Sequence, residues 1–466
     1  MAIAIVLILL ALGSVVFYFL SPWHLPPLAS NWGAIDTTIL ISFIVTGVVF
    51  VAVVGFTAYA IIRYRYDDRR RASYDPENKK LEFWLTFVTT IGIAALLAPG
   101  LITWASFVTV PGDAHRVAVV GSQWHWQFRY PGEDGRLGRV HPKFVGRGNP
   151  LGIDPSDPHG QDDRIVDRPE MYLPVDRPVE MLLTSRDVIH NFMVPSFRAK
   201  VDALPGQMSR FWFTPTRTGT FQSTCAEHCG VGHFAMRAQV EVVPQEEFDA
   251  WLGEQPTFAH MQALESGDPA AGRGRYAVCA SCHGQNGEGN ADMNAPSLTG
   301  LSPWYLVRQL ENFKSGARGG NPEDTFGAQM TAFAGTLDEK AMRDIAAYLQ
   351  TLPEQAAETT VSGDAARGQR LYRTCAFCHG SNGGGQWSAN APQLAGMNDW
   401  YLIRQLEHFR EGIRGRHPQD MYGNQMVDMS QFLVDEEAIR DVVSYINIFE
   451  VRAAEQSGDR VATLQE

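Results

Sequence analysis

A short loop carrying two cysteines constrains this chain more than any other feature. The loop contains Cys225, Cys229, His233 and Met236. Two thiols, an imidazole and a thioether this close together are soft and borderline donors, which select copper over magnesium or calcium. The loop therefore predicts a copper site, and that site needs a second imidazole from elsewhere in the chain.

His190 is the candidate for the second imidazole. It follows an apolar run from Val179 to Leu183 that predicts a strand ending at a turn. An isolated cysteine pair is more often inert packing or a strained disulfide. Here the full donor set favours two copper ions: both thiolates bridge the metals, each imidazole caps one metal, Met236 is a weak axial ligand and the Glu227 carbonyl completes the shell.

This arrangement resembles the CuA site of subunit II of haem-copper cytochrome c oxidases. The segments Lys200 to Gly206 and Gly121 to Trp126 are similar to that family's segment after its first His ligand and to its aromatic strand. The resemblance implies that Trp124 is the aromatic residue through which electrons reach copper. It also implies that the Glu227 carboxylate binds a magnesium ion shared with subunit I. His228 stands where the family usually has an aliphatic residue, so a structural role is favoured over a ligand role.

The residues around this loop predict an all-β domain. From His115 to Val243, short apolar runs are broken by Pro, Gly and Asp, which is typical of an antiparallel sandwich. We therefore expect a cupredoxin-like domain over residues 111–250. The insertion from Asn149 to Asp163 is rich in turn formers and acids, and a solvated loop is favoured there over a calcium site.

The first 110 residues form the membrane part of the chain. Apolar runs over residues 2–20, 35–62 and 83–109 predict three transmembrane helices. The first run lacks a basic residue before it and a small-residue cleavage site after it, so a retained helix is favoured over a secretory signal. The segment from Arg63 to Lys80 is rich in Arg and Lys and is therefore expected in the cytoplasm, with everything after residue 110 on the opposite side. The oxidase family has two helices before its copper domain, so a third is a departure.

Glu82 lies at the start of the third span. It matches a family glutamate at the cytoplasmic entrance of a proton path into subunit I, and Thr86 matches as well. The alternative is a solvated residue at the membrane boundary.

Two Cys-x-x-Cys-His motifs follow the copper domain. This is the haem c attachment motif, in which the thiols bond the two vinyl groups and the histidine binds iron. With the copper loop, the motifs use all six cysteines and leave none for a structural disulfide. The residues concerned are Cys279, Cys282 and His283 in the first motif and Cys375, Cys378 and His379 in the second.

The two motifs belong to an internal repeat. A shift of 96 residues maps Cys279 onto Cys375 and the run Arg308–Glu311 onto Arg404–Glu407. We expect two all-α units over residues 266–352 and 364–455, each resembling a class I cytochrome c with one covalently bound haem. Each unit is expected to carry an axial methionine on a loop.

Met330 resembles the axial methionine of that family, and Met/His ligation raises the reduction potential. Met426 is its counterpart in the repeat, and Met429 is the alternative because the second segment lacks the matching Phe and Gly.

The resemblance implies a function in respiration. Electrons from a c-type cytochrome or an upstream quinol-oxidising complex would pass through two haems c and copper to catalytic subunit I, in a complex with subunit III. That complex would reduce oxygen to water and translocate protons across a bacterial inner membrane, with the copper and haem domains in the periplasm. The net charge of −12 argues against nucleic acid and fits a surface that receives a basic protein.

The oxygen-reducing site is expected in another subunit. Such a site needs a bundle of His-bearing membrane helices, and the only histidine before residue 115 is His24. Two alternatives stay open: the electron-input subunit of a CuA-containing nitric oxide reductase, and a membrane-tethered copper-delivery protein. The second needs neither the haems nor the full ligand set.

Overall fold

The computed structural model describes residues 1–21, 25–71, 76–146, 148–263 and 267–449. His24, the expected boundary at 266 and the expected end at 455 lie outside these residues. The described chain comprises three long helices, a β-sheet domain and a run of shorter helices, which confirms the predicted multidomain fold class.

Three N-terminal helices are long and apolar enough to cross a membrane: α1 (Ala2–Leu20), α2 (Gly33–Arg63) and α3 (Lys79–Val108). Helix α3 starts earlier than its apolar run because the Asn78 side chain caps it, accepting a hydrogen bond from the Leu81 amide at 3.0 Å. Glu82 therefore lies in the first turn of α3.

Side chains at the outer ends of α2 and α3 fasten the membrane helices to the β-domain. Asp36 accepts two hydrogen bonds from the Arg198 guanidinium, at 2.6 and 2.9 Å. The Trp212 indole donates to the Ser106 carbonyl at 3.0 Å, and the Trp32 indole donates to the Trp212 carbonyl at 2.9 Å. These bonds fix the β-domain at one end of the helical hairpin.

The β-domain is a sandwich of two five-stranded sheets. Its strands are β1 (His115–Ser122), β2 (His125–Tyr130), β3 (Arg164–Val166), β4 (Glu170–Pro174), β5 (Val179–Ser185), β6 (His190–Val194), β7 (Ala199–Ala203), β8 (Ser209–Phe213), β9 (Gly219–Cys225) and β10 (Arg237–Val243). The strand orders are β3-β2-β1-β5-β8 in one sheet and β4-β10-β9-β6-β7 in the other. Aromatic side chains from both sheets, including Trp126, Phe128, Phe192 and Phe211, fill the core.

The sequence pattern predicted an antiparallel sandwich, but the sheets also contain parallel strand pairs. Strand β1 pairs with β5 in parallel, and β10 pairs with β4 in parallel. Neither pair is consecutive in the chain, so each is joined by a long crossover rather than by a hairpin turn. Alternation of apolar residues reports which face of a strand is buried but not the direction of its neighbour, which is why the prediction was wrong.

The acidic insertion is held by arginines. Asp163 is buried against Arg129 at 2.6 Å, and Arg139 lies 3.3 Å from both Asp154 and Asp157. Three of its carboxylates are thus paired with arginines, and Asp157 and Asp163 are buried, so the insertion is packed rather than solvated as expected.

Helices α4 (Gln245–Glu254) and α5 (Phe258–Ala263) connect the sandwich to two helical units. The first unit contains α6 (Pro269–Tyr276), α7 (Ala280–His283), α8 (Pro303–Lys314), α9 (Thr325–Gly335) and α10 (Glu339–Leu349). The second contains α11 (Ala365–His379), α12 (Asp399–Glu411), α13 (Met421–Ser430) and α14 (Glu436–Ile446).

The candidate axial methionines lie on helices rather than on the predicted loops. Asp324 caps α9 by accepting from the Gly327 amide at 2.9 Å, and Asp420 caps α13 by accepting from the Gly423 amide at 3.0 Å. Each cap starts a helix that carries the methionine-bearing segment.

The two units face each other with equivalent contacts in both directions. Arg308 donates to the Asn390 side chain at 2.8 Å, and its repeat counterpart Arg404 donates to Asn294 at 2.8 Å. The second contact is the same as the first with the two units exchanged. The interface therefore has the isologous form of a two-fold dimer within one chain.

Candidate copper and haem centres

Two strands bring the copper-ligand candidates together. Strand β9 ends at Cys225, β6 begins at His190, and the two strands pair side by side. The ligand atoms of His190, Cys225 and Cys229 all lie within 4.8 Å of one another, and all three residues are buried. This is the only group of three or more such side chains in the part of the chain that the structure describes.

His190 is oriented for a metal by a carboxylate. Its Nε2 lies 2.8 Å from Asp187, whereas its buried Nδ1 has no hydrogen-bond partner. Burial opposes protonation of the ring, but Asp187 and the nearby Cys225 sulfur outweigh it and raise the pKa of His190. One free ring nitrogen, with the other held by a carboxylate, is the usual arrangement of a metal-binding histidine.

The remaining donors surround the two sulfurs, which are 3.7 Å apart. His233 Nδ1 lies 3.6 Å and Met236 Sδ 3.8 Å from the sulfur of Cys229, and the Glu227 carbonyl oxygen is 3.2 Å from that of Cys225. Sulfur and nitrogen predominate in this set, so the residues fit soft copper ions.

The cysteine pair favours one thiolate, at Cys225. The hydrogen bond between the sulfurs lowers the pKa of Cys225 and raises that of Cys229, because one proton serves both atoms. Thiolate is the form that binds metal. The His228 side chain is exposed and stacks obliquely on His233 at 5.6 Å, which supports the structural role expected for it.

Trp124 lies against the copper loop. Its indole Nε1 donates to the Cys229 carbonyl at 3.0 Å, and the Gln123 side chain donates to the same oxygen at 2.8 Å. The ring is almost fully buried and lies flat against Gly232. A hydrogen bond thus links the indole directly to the backbone of a candidate copper ligand.

Both haem attachment motifs line one continuous, mainly apolar cavity. The cavity also extends to Trp124, Gly232 and Ala235 of the copper domain. The predicted haem residues on its walls are Cys279, Cys282, His283, Met330, Cys375, Cys378, His379, Met426 and Met429.

The two motif histidines are held identically. His283 Nδ1 bonds the Pro296 carbonyl and His379 Nδ1 bonds the Pro392 carbonyl, both at 2.8 Å. Burial lowers the pKa of each ring and keeps the imidazole neutral, which is the form that binds iron. The bond at Nδ1 leaves Nε2 as the nitrogen available to a metal in the cavity.

The methionines occupy equivalent places. Met330 and Met426 stand at the same position of α9 and α13, counted from the capping aspartates, and Met429 lies one turn further along α13. All three are half-buried on the cavity wall. The repeat therefore favours Met426 over Met429. Their position does not separate them, because both lie on the cavity wall.

Two buried arginines on the cavity wall provide a test of fit for haem. Arg318 donates to the side chains of Tyr401 and Gln405. Arg414 donates to the side chains of Tyr305 and Gln309. The Nε atom of each arginine has no hydrogen-bond partner. Neither forms an ion pair with a carboxylate in the described ranges. A buried cation without an anion is costly, so a cavity ligand that carries carboxylates, as haem does, suits these walls.

Several of these residues carried no recognised signal in the sequence. Asp187 stands three positions before His190, a spacing that could have marked it as the orienting carboxylate. The buried arginines occupy equivalent repeat positions, but their lack of partners is visible only in the fold. Glu82 is exposed in α3 and the Glu227 side chain is exposed on the copper loop, so the structure brings neither to a second metal or proton-carrying group among the described residues.

The matching family models divide the chain in the same way. Residues 116–243 match the cytochrome c oxidase subunit II periplasmic domain, and residues 269–353 and 365–448 each match cytochrome c. These families imply CuA copper and haem c as cofactors.

Similar proteins cover both the copper part and the haem part of the chain. The alternative cytochrome c oxidase subunit 2 of Bradyrhizobium diazoefficiens is 50% identical over 276 residues, which are 59% of this chain and 98% of that protein. Cytochrome c4 of Azotobacter vinelandii is 36% identical over 172 residues, 34% of this chain and 80% of that protein. A solved periplasmic domain of oxidase subunit II from Bradyrhizobium japonicum is 31% identical, covers 31% of this chain and 95% of its own, and superposes with a TM-score of 0.23.

The three apolar helices and the periplasmic-domain match indicate a membrane-anchored protein with periplasmic domains. The high identity over almost the whole length of an oxidase subunit identifies the copper part, and the two cytochrome c matches account for the rest. The chain therefore belongs to the cytochrome c oxidase subunit II family and carries two cytochrome c domains after its copper domain.

Proposed function

We propose that this chain is the electron-input subunit of a haem-copper oxidase in a bacterial inner membrane. It takes electrons from a c-type cytochrome or a quinol-oxidising complex and delivers them to catalytic subunit I, which with subunit III reduces oxygen to water and translocates protons. The observation that most supports this proposal is that one cavity holds both Cys-x-x-Cys-His motifs and extends to Trp124. The residues that line the cavity favour electron transfer through two haems c to a binuclear copper centre.

When bound, copper and haem supply one-electron oxidation and reduction. The protein supplies position: Cys225, Cys229, His190, His233, Met236 and the Glu227 carbonyl would hold the copper ions. The four motif cysteines would anchor the haems, and His283, His379, Met330 and Met426 would supply the ligands to iron. Asp187 holds the His190 ring in place, and the apolar cavity excludes water, which lowers the energy needed to reorganise the surroundings during transfer.

Trp124 is proposed as the last protein group before copper. Its indole is bonded to the Cys229 backbone at 3.0 Å and lines the cavity of the second unit, whose Gln425 donates to the Trp124 carbonyl at 2.5 Å. This contact favours the order first haem, second haem, copper. Glu82 at the cytoplasmic end of α3 is proposed as the entrance of a proton path, and the exposed Glu227 carboxylate as a ligand to magnesium shared with subunit I.

The name of the Bradyrhizobium relative favours oxygen as the acceptor over nitric oxide. The purified complex should consume oxygen with reduced cytochrome c and show no comparable turnover with nitric oxide. Preferential turnover with nitric oxide would place the chain in a nitric oxide reductase instead.

Electron paramagnetic resonance tests the proposed copper ligands. The complex should give a mixed-valence copper signal by electron paramagnetic resonance, and Cys229→Ser should abolish it while both haem spectra remain intact. A copper-delivery protein would instead hold labile copper without this signal. Survival of the signal in the variant would mean that the ligands are wrong.

A further inference from the structure

The two haem units are repeats, yet the second carries side-chain contacts with the β-domain that depend on residues the first does not share. Besides Gln425, three side chains of the second unit touch the β-domain. The Tyr422 hydroxyl donates to Asp167 at 3.3 Å, the Trp387 ring receives the Arg186 guanidinium at 5.9 Å, and Phe432 meets Phe234 of the copper loop at 6.4 Å. Something in the sequence must therefore distinguish the second unit from the first.

The repeat register shows where the units differ. The 96-residue shift aligns Tyr422 with Phe326 and Trp387 with Ala291. Phe432 aligns with Gly335 or Thr336, depending on where the extra residue is placed. Gln425, in contrast, aligns with Gln329, so its bond to Trp124 is a contact that either unit has the side chain to make. The divergence falls on three of the residues that touch the copper domain.

Tyr422 makes the most specific of these contacts. Its ring lies between the Arg308 guanidinium, 4.4 Å from the ring centre, and the His125 ring, 5.7 Å away in an edge-to-face arrangement. Its hydroxyl meets Asp167, which also accepts from Gln127 at 2.9 Å. Phe326 makes the equivalent stacking contact with Arg404 at 4.9 Å but has no hydroxyl to offer a carboxylate.

We propose that Tyr422, supported by Trp387 and Phe432, is a positioning residue that selects the second haem unit as the one facing Trp124 and the copper loop. The first unit, which lacks all three side chains, is thereby left outward for the external c-type donor. This inference rests on the proposed function. Each transfer moves one electron: the iron of the second unit is oxidised as the copper pair is reduced, and no bond breaks.

The test compares two tyrosine variants of the full complex. Tyr422→Phe gives the second unit the residue of the first, and Tyr445→Phe removes a hydroxyl from the same unit away from the copper domain. Haem is photoreduced by a flash, and the rate of copper reduction is followed optically. Because one hydrogen bond is worth roughly a factor of 5 in a docking equilibrium, Tyr422→Phe should slow the transfer about 5-fold, while Tyr445→Phe leaves it unchanged.

A combined variant, Tyr422→Phe with Trp387→Ala and Phe432→Ala, should slow the transfer more than the single change does. Its haem potentials and copper resonance signal should stay as in the unchanged protein, and hydrogen exchange of the α13 amides should rise. Asp167→Ala should add little to the slowing of transfer by Tyr422→Phe, because both changes remove the same bond.

An unchanged transfer rate and unchanged α13 exchange in the combined variant would overturn the selection of the second unit. Shifted haem potentials or an altered copper signal would also overturn it, since these side chains would then be structural. Absence of the copper signal from the unchanged protein would instead refute the proposed function.

Discussion

Gly232 shows how little room a single residue has at the copper loop. A Cβ added there would lie 2.5 Å from Cδ2 of Trp124, closer than any real contact. The residue is therefore glycine because the indole lies flat on its backbone. The same contact holds Trp124 close enough for its bond to the Cys229 carbonyl.

Gly232→Ala is expected to push the indole away and loosen the loop. Overpacking of this kind costs about 1–3 kcal/mol, so the β-domain should melt at lower temperature and the protein should retain less copper after dialysis. Gly253→Ala is the control, because nothing lies within 4 Å of a Cβ at that exposed position. Equal copper retention and melting in the two variants would contradict the close packing of Trp124.

At the scale of elements, the closing helix of the first haem unit depends on a buried carboxylate. Asp344 of α10 is inaccessible to solvent and accepts from the Asp268 amide at 2.9 Å and from Lys340 at 3.0 Å. Burial alone would raise the pKa of Asp344, but these bonds outweigh it and lower the pKa below 3.8. The first and last helices of the unit are thus joined through an ionised group.

A lowered pKa means that this stabilisation is complete above pH 3.8 and is lost as the pH falls through the folded-state value. Asp344→Asn should therefore destabilise the first unit by about 2 kcal/mol at pH 7, and the difference from the unchanged chain should shrink towards acid pH. Thermal unfolding followed by haem absorbance measures it. A difference that grows on acidification would refute the role of Asp344.

At the scale of the whole molecule, charge would distinguish the two proposed electron-transfer contacts. The chain carries a net charge of −12, which would attract the proposed basic donor over distances that salt screens. On the side of the second unit, the internal contact uses the uncharged side chains of Tyr422, Trp387, Gln425 and Phe432, so ionic strength should affect it much less than the donor contact.

Raising the salt concentration should therefore slow oxidation of a basic soluble cytochrome c several-fold while leaving flash-induced haem-to-copper transfer unchanged. Stopped-flow and flash measurements on one preparation, at low and high salt, compare the two. An equal salt dependence of both steps would show that the second unit docks transiently, like an external protein.

The sequence by itself determined the features that are local in the chain. The copper donors lie in one loop, the haem motifs span adjacent residues, and the repeat aligns at a constant shift, so the cofactor classes, fold class and family follow from short stretches. The membrane helices follow for the same reason, because the hydrophobic thickness of a bilayer sets a length that is read directly from the chain.

Only the tertiary structure decided what depends on distant residues meeting. Parallel pairing of β1 with β5, the lack of a carboxylate partner for the buried Arg414 and the contact of the second unit with Trp124 each arise from packing between remote segments. Apolar periodicity and motif spacing describe one element at a time, whereas these features depend on which surfaces bury each other and which polar groups they leave without a partner.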